Sequence, residues 1–193
     1  MKPLDPAEIL DLTAYERVRE DFLRRTIAHK RPRRIAVGGH LTFIFEDRET
    51  VRFQIQEMTR AERTVDPGES ATEVRIFNEL IPGRHELSAT LMIEIPEAER
   101  IRSELDRLIG IDERVFLDIG ESSVQASFDP KQFEADRISA VHYVKFPLGE
   151  ELAQRFRDPG VPVFLRVDHP NYREKTPVEG DSRTSLGKDL SAD

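Results

Sequence analysis

Along residues 86–95 apolar and polar side chains alternate, with Leu87, Ala89, Leu91, Ile93 and Ile95 on one side and Ser88, Thr90, Met92 and Glu94 on the other. A period of two is that of a strand with one face in a core. Leu41, Phe43 and Phe45 repeat the pattern, after an interruption at Gly38 and Gly39 that reads as a bulge or turn. Ile138, Ala140, His142, Val144 and Phe146 repeat it again. The stretches "RVFLDIG" and "SSVQASFD", joined through Gly120 and Glu121, read as a hairpin. A last strand, "VPVFLRVDHP", is stopped by Pro170, and Tyr172 locks the ensuing turn onto the body.

Between these strands the period lengthens. Asp5 and Pro6 open a short helix that reaches Leu12, and Thr13 caps a longer one in which Glu16 completes a capping box. Tyr15, Val18, Phe22, Leu23 and Ile27 line its apolar side, and "HKRPRR" ends it as a solvated basic terminus. The stretch "TVRFQIQEMTRAER" fits two periods. Val51, Phe53 and Ile55 alternate as in a strand, yet Val51, Ile55 and Met58 also follow helical spacing, and no breaker intervenes before Pro67 and Gly68. Continuity predicts one helix beginning near Asp47 to Thr50. Ser70, with Glu73, caps the next helix, whose buried side is Val74, Phe77, Leu80 and Ile81. Pro96 opens a helix carrying Ile101, Leu105 and Leu108, and a short helix spans Glu150 to Phe156.

The elements do not alternate as right-handed crossover units, so the expected class is α+β. Its sheet is mostly antiparallel, curved or barrel-like, with helices packed on one face and edge. Residues 1–172 are expected to form a single α+β domain. From Arg173 the composition turns polar, and residues 173–193 are expected to be a mobile C-terminal tail.

Composition narrows the chemistry. The 193 residues carry a formal charge of -8, which disfavours phosphate-backbone binding, so no nucleic-acid partner is expected. Cysteine is absent, which excludes disulfides, thiolate nucleophiles and an iron–sulfur cluster held by the protein's own thiolates. A charged N-terminus and the lack of a long apolar run point to a soluble, cytoplasmic chain without membrane insertion. Neither a phosphate-binding glycine loop nor a serine nucleophile elbow is present.

Candidate chemistry therefore depends on spatial convergence. His40, Glu94, His142 and His169 would suit a divalent metal if neighbouring strands bring them together. Glu46 and Glu57, with His142, are the candidates for general acid–base work, and Arg48 or Gln54 for orienting a ligand. Each has an ordinary structural alternative, as core histidine or surface ion pair.

Five segments in order, "FEDRETVRFQIQEMTRAER", "NELIP", "LSATLMIEIPEAERIRSELDRLIG", "DRISAVHYVKFPL" and "VDHPNY", resemble the bacterial domain-of-unknown-function family 3501 from about Leu4 to Tyr172. The resemblance implies small cytoplasmic proteins encoded beside rubrerythrin-like proteins and iron–sulfur oxidoreductase subunits. It thereby implies a non-catalytic accessory or assembly partner of such a redox system. It transfers no catalytic residues. The alternative is a small-ligand-binding or divalent-metal-dependent enzyme with a His/Glu pocket.

Overall fold

The strand ladders run antiparallel throughout and form two principal sheets in the computed structural model, which describes residues 1–63, 67–129, 133–134 and 137–191. After a single 3-10 turn capped by Asp5, helix α1 (Leu12–Lys30) leads to a hairpin of β1 (Arg34–Val37) and β2 (Leu41–Glu46). Helices α2 (Arg48–Glu62) and α3 (Pro67–Phe77) follow, then β3 (Glu86–Ile93) and the short α4 (Ile101–Asp106). Next come β4 (Val115–Ile119), β5 (Ser122–Gln125), β6 (Ser127–Phe128), β7 (Phe133–Glu134), β8 (Arg137–Ile138) and β9 (Val141–Pro147). Helix α5 (Gly149–Arg157), β10 (Val163–His169), β11 (Tyr172–Pro177) and α6 (Gly180–Asp189) complete the described chain.

The first sheet has the order β1-β2-β3-β9-β6 and the second β11-β10-β4-β5, while β7 and β8 pair separately. This is an α+β architecture, and neither sheet closes into a barrel. The apolar faces meet in one core: Phe43, Phe45, Leu91, Val144 and Phe146 of the first sheet join Leu117, Ile119, Leu165 and Val167 of the second. Burying each such side chain contributes roughly 1.5–3 kcal/mol. Ala153 and Phe156 of α5 and Leu186 of α6 complete the same cluster.

The opposite face of the first sheet is also covered. Ser88 and Thr90 are buried although they stand on the polar side of β3. Above that face, Val51 and Ile55 of α2 and Val74 of α3 form a second apolar cluster with Leu4, Leu80 and Ile81, against which Tyr143 packs. The N-terminal helices thus roof a polar sheet face.

Several local expectations shift by a few residues. Asp11, not Thr13, caps α1, its carboxylate accepting from Ala14 N. Pro67 begins α3 instead of ending a turn, and the expected Ser70 cap involves a side chain outside the described residues. The expected tail is corrected more substantially. Residues 172–177 pair with β10, and Leu186 of α6 and Leu190 at its C-cap are buried, so the chain through Leu190 belongs to the folded body. Residues 192 and 193 lie outside the described residues.

Tyr172 shows how that C-terminal segment is held. Its hydroxyl donates to Val37 O at 2.6 Å and accepts from His40 N at 3.1 Å. Gly38 sits under this ring with φ +66°, where a side chain would meet both backbone strain and the tyrosine hydroxyl.

Candidate functional site

The covered polar face of the first sheet contains a transverse row set by register. Glu46 of β2 pairs with Ser88 of β3, Ser88 with Lys145 of β9, and Lys145 with Ser127 of β6. In the adjoining row Thr90 pairs with Tyr143. Same-face cross-strand neighbours place their Cβ atoms about 4.5–5.5 Å apart, so these groups form a continuous polar floor.

A cleft of about 540 Å³ opens onto this floor. Ser88, Ser127, Tyr143 and Lys145 supply its polar side, and Ile76, Phe77, Leu80 and Phe128 its apolar wall. Lys145 Nζ is held by Glu86 Oε1 at 3.0 Å. Burial, assisted by the charge on Glu46, pushes the Tyr143 phenol above its ordinary range, so it remains a hydrogen-bond donor at neutral pH.

Glu46 lies at the end of the row and is only 1% exposed. Thr90 Oγ1 donates to its Oε1 at 2.6 Å, and Gln54 Nε2 approaches the same oxygen at 3.5 Å. Its Oε2 has no hydrogen-bond partner among the described residues, and neither does Gln54 Oε1. Two unpaired acceptors in one buried neighbourhood call for an explanation.

The remaining sequence candidates separate. Glu57 faces α1, accepting from Tyr15 Oη at 2.7 Å and from Arg19 Nε and Nη2 at 2.9 Å. The Arg19 guanidinium holds its carboxyl below the usual range, and Glu57 is engaged by α1 while Glu46 accepts from Thr90, so the two do not form an acid–base pair. Arg48 clasps the Glu8 carboxylate and donates to Lys2 O at 3.2 Å, outside the cleft. Of these residues, Gln54 is the one that lies beside Glu46.

The anticipated metal grouping does not assemble. His40 donates from Nδ1 to the Glu94 carbonyl at 3.3 Å, while the Glu94 carboxylate accepts from Arg34 at 2.8 Å and Thr42 at 2.5 Å. The Thr42 hydroxyl, then Arg34, lowers the Glu94 carboxyl. His142 pairs with Leu91 and therefore shares the core face, whereas Glu94 follows the opposite phase of the same strand pattern. His142 Nε2 donates to Ser139 O at 2.7 Å, and burial lowers its imidazole. His169 donates to Ile109 O at 3.0 Å and accepts from Asn171 N at 3.2 Å. No group of three potential protein ligands able to hold a metal occurs among the described residues.

A second constellation was not singled out by motif. Asp47 caps α2 through Oδ1, which accepts from Glu49 N and Thr50 N, leaving Oδ2 for His29 Nε2 at 2.6 Å and Arg33 Nη1 at 3.2 Å. Arg33 is 1% exposed and also donates to Phe45 O, Glu46 O and Asp189 Oδ2. These charges line a surface depression but satisfy one another, which assigns them to fold integrity. The sequence signal was present: Asp47 stands at a helix start, and an arginine follows the proline that ends α1.

This network predicts a pH dependence. The Asp47 bond raises the His29 imidazole, while burial works to raise the Asp47 carboxyl but is outweighed by His29 and Arg33, leaving it below its ordinary range. Asp47 thus stays ionised at neutral pH. The His29 contribution is fully present below the unfolded value of 6.5 and is lost as pH rises through the higher folded value. Urea midpoints of the wild type and His29→Gln should therefore converge from about pH 5.5 to about pH 8.5. A constant separation would refute the linkage.

The two-sheet α+β body with a helix-roofed polar face is the architectural class to which the chain belongs. By sequence it belongs to the family described as "Protein of unknown function (DUF3501)", which it matches over residues 3–190. A similar solved structure is the crystal structure of a novel protein of unknown function from Burkholderia pseudomallei K96243. The two share 35% identity with a TM-score of 0.91, covering 98% of this chain and 100% of the other. No curated protein matches. No described helix is long and apolar enough to cross a membrane.

Proposed function

We propose that the protein binds a small organic ligand in the cleft between the polar face of the first sheet and the end of α3. The observation that carries this reading is the cleft itself. Its apolar wall is joined to a few convergent polar groups, Ser88, Tyr143 and Lys145, the usual composition of a small-molecule site. The volume of about 540 Å³ lies within the range such sites occupy.

The test is two-dimensional amide NMR of the full chain titrated with hexylamine, hexanol and hexanoate. Shifts confined to β3, β6, β9 and residues 76–80 are expected with at least one probe. Ser127→Trp introduces a bulky ring from the exposed β6 position and should abolish them, with the circular dichroism spectrum unchanged. No shift, or shifts that survive this filling, would overturn the reading.

The competing proposal is the accessory role implied by the family resemblance, with an iron–sulfur oxidoreductase or a rubrerythrin-like protein as partner and a cytoplasmic location. It predicts recovery of such a partner from native cells. A quantitative pull-down lacking any redox protein would reject it.

A further inference from the structure

We propose that the ligand of the cleft is an amphipathic amine whose ammonium group is received by Glu46 Oε2 and Gln54 Oε1. The proposal rests on the cleft reading and gives it a chemical class. Glu46 is buried, and Thr90 satisfies its Oε1 at 2.6 Å, while Oε2 has no hydrogen-bond partner among the described residues. Gln54 Oε1 is an equally unpaired buried acceptor, on a side chain whose amide nitrogen lies 3.5 Å from Glu46 Oε1. Both unpaired atoms are acceptors, so the group that completes them is a donor. An ammonium group carries three and no acceptor, whereas a hydroxyl carries one and a carboxylate none.

Placement connects this receptor with the cleft. Glu46 is the cross-strand partner of Ser88, and Ser88 lines the cleft floor. The separation of their Cβ atoms is about 5 Å for same-face neighbours, within the reach of a ligand head group. Tyr143, half-buried on that floor, is the cross-strand partner of Thr90, whose hydroxyl donates to Glu46, and it senses the Glu46 charge.

The sign of the surroundings agrees. Glu79 and Asp129 line the cleft against one lysine, Lys145, which is already bound to Glu86. An anionic ligand meets a net negative rim and a buried carboxylate. A cation meets favourable charge at both, and its apolar portion lies along Ile76, Phe77 and Leu80.

The three probes decide the matter on the intact chain at pH 7, with calorimetry supplying affinities. Hexylamine is expected to bind about tenfold more tightly than hexanol or hexanoate, the scale of one charge-assisted hydrogen-bonded contact. Glu46→Gln should abolish that preference, bringing hexylamine to within about twofold of hexanol. Equal binding of all three probes, tighter binding of hexanoate, or an amine preference untouched by Glu46→Gln would each overturn the amine assignment while the cleft remains a site. The last outcome would mean that a buried water occupies Glu46 Oε2. Should Glu46→Gln fail to fold, the ranking of probes on the wild type still decides between amine and other classes. Absence of shifts at Ser88, Tyr143 and Lys145 with every probe would remove the cleft reading itself.

Discussion

Asp189→Ala is expected to destabilise the protein by about 3 kcal/mol, the lower end of the cost of stripping one partner from a buried ion pair. Asp189 Oδ2 accepts from Arg33 Nη2 at 2.5 Å, and Arg33 is 1% exposed. Truncation leaves the guanidinium buried without its strongest counter-charge. The loss is held to the lower end because Phe45 O at 2.9 Å, Glu46 O at 3.0 Å and Asp47 Oδ2 at 3.2 Å still receive its N–H groups. Chemical denaturation measures the difference. The combined replacement Arg33→Met with Asp189→Leu should recover only part of the loss, since an apolar pair avoids desolvating those two charges but leaves Phe45 O, Glu46 O and Asp47 Oδ2 without the Arg33 N–H groups. A loss under about 1 kcal/mol for Asp189→Ala would show that the pair is effectively solvated.

The Arg33 to Asp189 contact also explains why the last segment was misread. It spans 156 residues of sequence, beyond the reach of any periodicity argument. In α6 and its C-cap the buried apolar anchors are Leu186 and Leu190, one helical turn apart, and among the described strands β11 pairs with β10 alone and exposes most of its side chains. A segment of that kind is polar in composition yet ordered by its neighbours. By contrast β2, β3 and β9 were legible because a two-sided environment imposes a strict period on them. The start of α2 was legible because Asp47 caps it chemically.

For the site, the sequence placed Ser88 and Thr90 correctly on the polar face but could not tell that helices would cover it. Glu46 and Gln54 were singled out for their side-chain chemistry, and tertiary structure brings them together. The imagined metal set failed for a geometric reason: His142 and Glu94 occupy opposite phases of the pleat, and His169 is committed to Ile109 O. Tyr143 and Lys145 lie in the other phase of β9, between the apolar residues that mark the strand. Their alternation with Val144 and Phe146 was the available signal.

Phe45→Ala should cost about 3–5 kcal/mol, the effect expected when a large aromatic is removed from a core that relaxes only partly. Phe45 is 0% exposed, and its ring stacks on Phe146 of β9 with centroids 6.1 Å apart and planes 29° from parallel. The two strands do not pair directly; β3 lies between them, and Ala89, the Cα partner of both Phe45 and Val144, is small enough to leave room for that contact. Removing the Phe45 ring therefore deprives Phe146 of an aromatic neighbour as well as opening a void. Because Glu46 follows Phe45 on the opposite face, the same change tests how far the polar floor depends on the core beneath it. Phe45→Leu, which keeps much of the volume, should cost well under half as much by urea denaturation and should preserve probe binding in the cleft. If the two substitutions proved equally damaging, the stability of β2 would rest on the aromatic contact and not on filled volume.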